Sequence, residues 1–352
     1  MPRTAHEGGL TLHGCHQGLW RSGLVCVVGL AFACASLPER TSLDQPLSAA
    51  RVRDLPDDDD LLAVVPADAE VVLSLDVAQL RQSRWTGALL AAQAEGGRAQ
   101  DSGFDELTDV DRLVYARLFI ADGAGDGQTL TVAQGRFVRE RVRAAFAGRH
   151  PTMTENPFRG CVVWSDKGRG LALLTQRTLL SGPIAAVRAA IDASLGRAAA
   201  MRSQRWLAEV IAALEQGRGS SSKPPALLLA IAVAPQMRER LRAELAGAEV
   251  LEQVGARIDL GQALSLVAVG MTRTRQEASN LSVQLDDTVR HLRARTSLAA
   301  LGLGPVLEGA RIAPQGARVI GDLRLDEAQR EIVAERLALL ARTMAGAQLP
   351  AK

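Results

Sequence analysis

Apolar and polar residues alternate with two periods along this chain, and the change from one to the other recurs. In Thr178–Gly196 a short apolar run ends at Ser181-Gly182, and Pro183 follows where a helix would begin. Ile184, Val187, Ile191 and Leu195 then recur at helical spacing, with Arg188 and Asp192 off that stripe. Gly196 stands where helices commonly end. The pattern predicts a strand, a tight turn and an amphipathic helix.

Similar units follow elsewhere. Glu70–Asp76 reads as a strand ending on the N-cap Asp76, with a helix over Val77–Leu90 bearing Leu80 and Trp85. Leu130–Ala133 leads through Gly135 to Phe137, Val138, Val142 and Phe146. Ala226–Val233 is almost wholly apolar, as a strand buried on both faces would be, and Pro235 opens a helix with Met237, Leu241 and Leu245. Asn280–Leu285 alternates Leu281, Val283 and Leu285 against Ser282 and Gln284, which predicts a half-buried strand with Asp286 or Asp287 capping a helix after it. Ala317–Leu325 alternates before Asp326 and a helix carrying Ile332, Val333, Leu337 and Leu340.

Four further strands are expected without a helix directly after them: Arg112–Ile120, Gly160–Ser165, Gly170–Thr175 and Ala263–Met271. Arg202–Gln216 reads as a helix with Trp206, Leu207, Val210, Ile211 and Leu214 on one face. Short polar turns such as Asp166-Lys167-Gly168 point to hairpins. Together these predict an α+β, two-layer fold of ferredoxin-like (split β-α-β) units. Its sheet is mixed but mainly antiparallel, with helices on one face, and the chain forms two pseudo-repeated lobes. The Gly/Ser/Pro-rich run Gln216–Pro225 separates lobes over 67–216 and 225–345, with 217–224 as linker or surface loop and 346–352 as a tail. One sheet continuous across both halves fits the same pattern.

The first 33 residues carry a different signal. Leu24–Ala33 is an uncharged apolar run behind Arg21, too short to span a bilayer and shaped like the core of an export signal. Ala31 and Ala33 are small, and Cys34 follows at once. This resembles the lipobox of bacterial lipoproteins, in which the cysteine is acylated and becomes the mature N-terminus. It departs from the usual pattern in carrying Ala31 and Phe32 where Leu and a small residue are common. Plain signal-peptidase cleavage at the same bond, leaving a soluble periplasmic protein, is the alternative. Ala35 in place of aspartate implies, by the same resemblance, the outer membrane. Residues 34–66 read as a flexible, lipid-anchored acidic linker, with Asp57–Asp60 a solvated charge run that lacks the spacing of a cation loop.

Three phrases, Val65–Arg81, Gly103–Ala116 and Arg177–Asp192, resemble recurring segments of uncharacterised bacterial exported proteins and lipoproteins of the domain-of-unknown-function type. That resemblance implies repeated strand–helix units. It brings no catalytic residues.

Composition narrows the chemistry. All but three of the 41 basic residues are arginine, yet the net charge is only +2 and no basic run stands out, so nucleic acid is not an expected partner. With the signal removed, Cys161 is the one cysteine in the body, which leaves no internal disulfide, and only His150 and His291 remain. No nucleophile elbow, zincin helix, paired C-x-x-C or phosphate loop is present. Leu301–Pro305 contains a G-x-G that Pro305 spoils as a dinucleotide motif. Asp287 and His291, four apart, could touch on a helix; Asp105, Asp109 and Asp111 read as caps and turns. Ser265 and Ser282 carry no nucleophile pattern, and Asn280-Leu281-Ser282 is a sequon expected inside a strand. Trp85, Trp164 and Trp206 read as core or boundary residues.

These features predict a cell-envelope lipoprotein anchored through Cys34, non-enzymatic and without cofactor or metal, with an interaction or structural role toward an unidentified envelope protein. A carrier or sensor of a small apolar ligand held between sheet and helices is the alternative. A hydrolase with an unfamiliar site is third.

Overall fold

The computed structural model describes residues 60–83, 104, 108–118, 128–216, 224–244, 247–261, 263–294, 304–329 and 333. Twelve strands form one antiparallel sheet. In chain order they are β1 (Ala69–Asp76), β2 (Val110–Leu118), β3 (Gln128–Gly135), β4 (Thr154–Phe158), β5 (Cys161–Asp166), β6 (Arg169–Leu173) and β7 (Thr178–Pro183). The second half adds β8 (Leu227–Ala232), β9 (Gln253–Leu260), β10 (Leu264–Met271), β11 (Arg311–Gln315) and β12 (Arg318–Leu325). Across the sheet the order is β11-β12-β10-β9-β8-β1-β2-β3-β7-β6-β5-β4. The helices are α1 (Val77–Gln82), α2 (Arg139–Arg149), α3 (Ile184–Ser194), α4 (Arg205–Gln216), α5 (Pro235–Glu244), α6 (Arg275–Ala294) and α7 (Gly304–Glu308).

That order exposes an internal repeat. Each half runs strand, helix, two strands, helix, and ends in a hairpin whose last strand returns beside the third strand, β6–β7 in the first half and β11–β12 in the second. The first half inserts a further hairpin, β4–β5, before its own, and the second places the short α7 there. The halves meet where β1 pairs with β8, Leu73 lying opposite Leu229 at the middle of the register. From that pair the first three strands of each half run outward in opposite directions across the sheet. The α+β class and the repeated lobes are those the sequence predicts; the sheet expected to be mixed is antiparallel at every pairing among the described strands. Within each lobe the first three strands are neighbours in chain order and the rest follow in reverse, so no strand is inserted between the first and second as the expected split β-α-β unit requires. A single sheet runs through both lobes.

The layering corrects one expectation: helices cover both faces of the sheet. Neighbouring residues on a strand point to opposite faces, and they join different clusters. Leu180, Ala172 and Val163 pack with α3 and α4. Their neighbours Leu179, Leu171 and Trp164 pack with Val142 and Phe146 of α2 on the other side. Helices α5 and α6 lie on that second face as well, through Met237, Leu241, Ala278 and Leu281 against Val254 and Val319. An almost wholly apolar strand such as β8 satisfies this arrangement, because both of its faces are covered.

Capping explains several element ends. Asp76 accepts from the Gln79 backbone N–H at 2.8 Å, as its position predicts. Pro183 is the N-cap of α3, one place earlier than expected, and Gly196 takes the left-handed turn after it (φ 68°). Two glycines let helices approach the sheet. A Cβ on Gly255 would sit 2.4 Å from Val210 Cγ1 of α4, and one on Gly170 would sit 3.2 Å from the Ile184 Cα of α3.

Three other expectations change. Residues 280–285 are helix, inside α6, not strand. Ala278, Leu281, Val289 and Leu292 make a buried helical stripe, and Val283 is 57% exposed. The residues Thr274-Arg275-Gln276-Glu277 form a reciprocal capping box: the Glu277 carboxylate accepts from the Thr274 N–H, and the Thr274 hydroxyl from the Glu277 N–H. The packed body also starts before residue 67, because Leu61 and Val65 are buried in the core within the stretch read as linker. Finally β4, β9 and β11 are strands that the apolar pattern did not mark.

Candidate functional site

A compact gathering of titratable and hydroxyl side chains lies where α2 ends against the β4–β5 hairpin. Asp166, the last residue of β5, is 7% exposed. His150, the C-cap of α2, donates from Nδ1 to Asp166 Oδ2 at 3.0 Å. The Thr152 hydroxyl donates a short bond to the other carboxylate oxygen. The Thr152 hydrogen bond, above all, holds the Asp166 carboxyl below its ordinary range; burial opposes this, and His150 and Lys167 reinforce it. The His150 ring also stacks at 4.2 Å on Phe146.

Chemically this cluster is closed. Both oxygens of Asp166 are spent within the protein, one on an imidazole and one on a hydroxyl. Thr152 binds the carboxylate rather than His150, so the chain of contacts orders no nucleophile against a base. Its evident work is mechanical: the loop after α2 is tied to the end of β5. Nothing in the sequence marked it, because His150 and Asp166 are sixteen residues apart and meet only through the β4–β5 hairpin.

Further polar contacts lie nearby on both faces of the hairpin, those of Asn156 on the far side and that of Arg143 on the α2 side. Asn156 donates to the Ser165 hydroxyl at 2.8 Å and to the Thr154 hydroxyl at 3.0 Å, while Arg143 meets Glu155 at 2.6 Å. In the second half Arg257, 3% exposed, makes a two-pronged contact with Asp259 at 2.7 and 2.8 Å along the same side of β9. That pairing lets a charged pair occupy an otherwise apolar strand.

The residues singled out from the sequence fall separately. Cys34, the candidate lipidation site, lies outside the described residues, as do Trp85, Asp105, Leu301–Leu303 and Asp57–Asp59. His291 Nδ1 contacts the Asp287 carbonyl oxygen at 2.8 Å, and the Asp287 carboxylate binds Arg290 instead, so the expected side-chain pair does not form. Asp111 is paired with Arg81 at 2.7 Å. The Asp109 carbonyl accepts from the Arg136 N–H at 2.7 Å where β2 begins, a turn role like the one expected. Ser282 bonds its own helix through the Ser279 carbonyl, and Ser265 sits in β10 opposite Arg324. Trp164 is fully buried and Trp206 packs at the core margin. Cys161 is a free thiol; burial pushes its pKa up, with the Arg139 charge opposing. No group of three or more metal-ligating side chains gathers among the described residues.

A cavity of about 150 Å³ opens at the centre of the sheet, lined by Asp60, Ser74, Asp76, Arg112, Pro224 and Leu228 among others. Ligand pockets are usually about 300–1,000 Å³ and mostly apolar, so this one suits a few waters better than an apolar ligand. Among the described residues no helix is long and apolar enough to cross a membrane.

The class this geometry defines is an α+β protein built on one twelve-stranded antiparallel sheet with an internal repeat. No protein-family model and no curated protein matches the chain. Solved structures similar to it include TP0453 in three crystal forms. Form III has a TM-score of 0.45 at 13% identity, covering 80% of this chain and 98% of that one. Form I gives 0.43 at 14% identity, covering 80% and 97%, and form IV gives 0.45 at 13%, covering 80% and 96%. Similarity of that order says nothing about activity, ligand or partner.

Proposed function

We propose that this protein is an exported, non-enzymatic cell-envelope lipoprotein, held at the outer membrane through Cys34 and acting through an interaction with an envelope protein. The observation that carries the reading is Leu24–Ala33, an apolar run with small residues at 31 and 33, followed at once by Cys34. The described residues begin at Asp60, about 25 residues beyond Cys34, a separation of at most roughly 90 Å along an extended chain. That is room enough for a body of this size to work away from the bilayer surface. Further support is the way the polar groups of the body are used. His150, Thr152 and Asp166 satisfy one another, Arg257 is spent on Asp259, and Asp111 on Arg81.

Membrane fractionation of the parent and a Cys34→Ala variant tests the proposal. The parent is expected in the membrane fraction and the variant in the soluble one. Equal distribution of the two would remove the anchor.

A further inference from the structure

We infer that Pro157 and Pro314 are the residues that stop this sheet from adding a strand of a second copy of the chain. Among the described residues the sheet does not close on itself; it ends at β4 on one side and β11 on the other. An open edge presents unpaired N–H and C=O groups and is a template for another strand. Both end strands are five residues long, and each carries proline at its fourth position.

The register gives that position a meaning. Each edge strand enters a two-residue hairpin turn, Arg159-Gly160 after β4 and Gly316-Ala317 after β11. Arg159 and Gly160 both have positive φ (53° and 84°), as a type I′ turn requires, and Gly316 has φ 64° at the first turn position. In such hairpins the closing pair exchanges both hydrogen bonds, and bonded and non-bonded pairs alternate behind it. The closing pairs are Phe158 with Cys161 and Gln315 with Arg318. Pro157 opposite Val162, and Pro314 opposite Val319, are therefore the next, non-bonded pairs, whose backbone groups face the open side.

An ordinary residue there would offer a donor to an incoming strand. Proline offers none, and its ring occupies the space where the incoming carbonyl would come. Both prolines are solvent-exposed. By the same alternation Glu155 alone on β4 and Ile312 alone on β11 keep an outward N–H, so neither edge offers two in a row. Charge does not do this work at β4, because Glu155 is already paired with Arg143.

The two edges make distinct predictions. Opening one edge permits like-to-like pairing of β4 with β4, or β11 with β11, which closes as a two-fold dimer; opening both permits an unending chain. The purified full-length protein is compared with Pro157→Thr, Pro314→Thr and the double variant by size-exclusion chromatography with light scattering over rising concentration. Each single variant is expected to reach twice the parent's mass, and the double variant to pass beyond it. Ala313→Thr, at a bonded position of β11, is expected to keep the parent's mass. Glu155→Pro added to Pro157→Thr blocks the remaining outward position and is expected to restore that mass. Variants that hold the parent's mass throughout the range would overturn the inference. So would association that Glu155→Pro fails to reverse, since that would trace it to unfolding rather than to the edge.

Discussion

The two halves follow the same path and are roofed differently. In the first, α3 follows β7 and lies over β6 and β7, strands of its own half. The corresponding face of the second half is covered by α4, which lies across β8, β9 and β10 although it belongs to the first half. Gly255 of β9 makes room for its Val210 and Leu214, and Arg318 of β12 donates to Gln216 at its end at 3.0 Å. A repeat alone would make two interchangeable domains. Here one half lends its helix to the other, and the joint at β1–β8 is covered as well as hydrogen-bonded.

The largest effects expected come from this loan. Leu214→Ala in α4 and Ile191→Ala in α3 both empty fully buried sites, and each should cost about 2–5 kcal/mol by denaturant unfolding. Hydrogen exchange separates them. Leu214→Ala should raise exchange in β8–β10, in the other half of the chain, whereas Ile191→Ala should raise it in β6 and β7. Exchange confined to the first half in both variants would mean that α4 does not serve the second.

A smaller effect belongs to the β4–β5 hairpin, which the second half lacks. Asp166 is held below its ordinary range in the folded protein, so its contribution is present above the unfolded carboxylate value, about 3.9, and is lost as pH falls through the folded value. Asp166→Asn should therefore lower the melting temperature most at neutral pH, and the gap to the parent should close on acidification. A gap constant with pH would show that the carboxylate charge is not what ties His150 and Thr152 together. Least of all, Val283→Ser on the exposed side of α6 should change stability by no more than about 0.5 kcal/mol, which a strand reading of 280–285 would not allow.

How far these features could be read in advance depends on how local they are. Pro183 and Gly196 bracket α3 because both act within one turn of the chain. The apolar stripe of α4 was equally plain, since Leu207, Val210 and Leu214 recur at helical spacing. Residues 280–285 misled because Leu281, Val283 and Leu285 alternate by chance within a longer helical stripe. The box Thr274 to Glu277 was the signal that outranked them. The edge strands β4 and β11 escaped notice because strands open on one side need few apolar residues, and β9 because Arg257 and Asp259 break its pattern. Placement of helices on both faces was hidden too: it depends on which side each connection crosses. The His150–Thr152–Asp166 cluster is assembled by tertiary structure, and no spacing announces it.

The account rests most heavily on what happens at Cys34, and mass analysis of the N-terminal peptide of the mature protein addresses that directly. The predicted peptide begins at Cys34 and carries the added mass of a lipid on its sulfur. A peptide beginning upstream of residue 34, or an unmodified Cys34 at the N-terminus, would contradict the account.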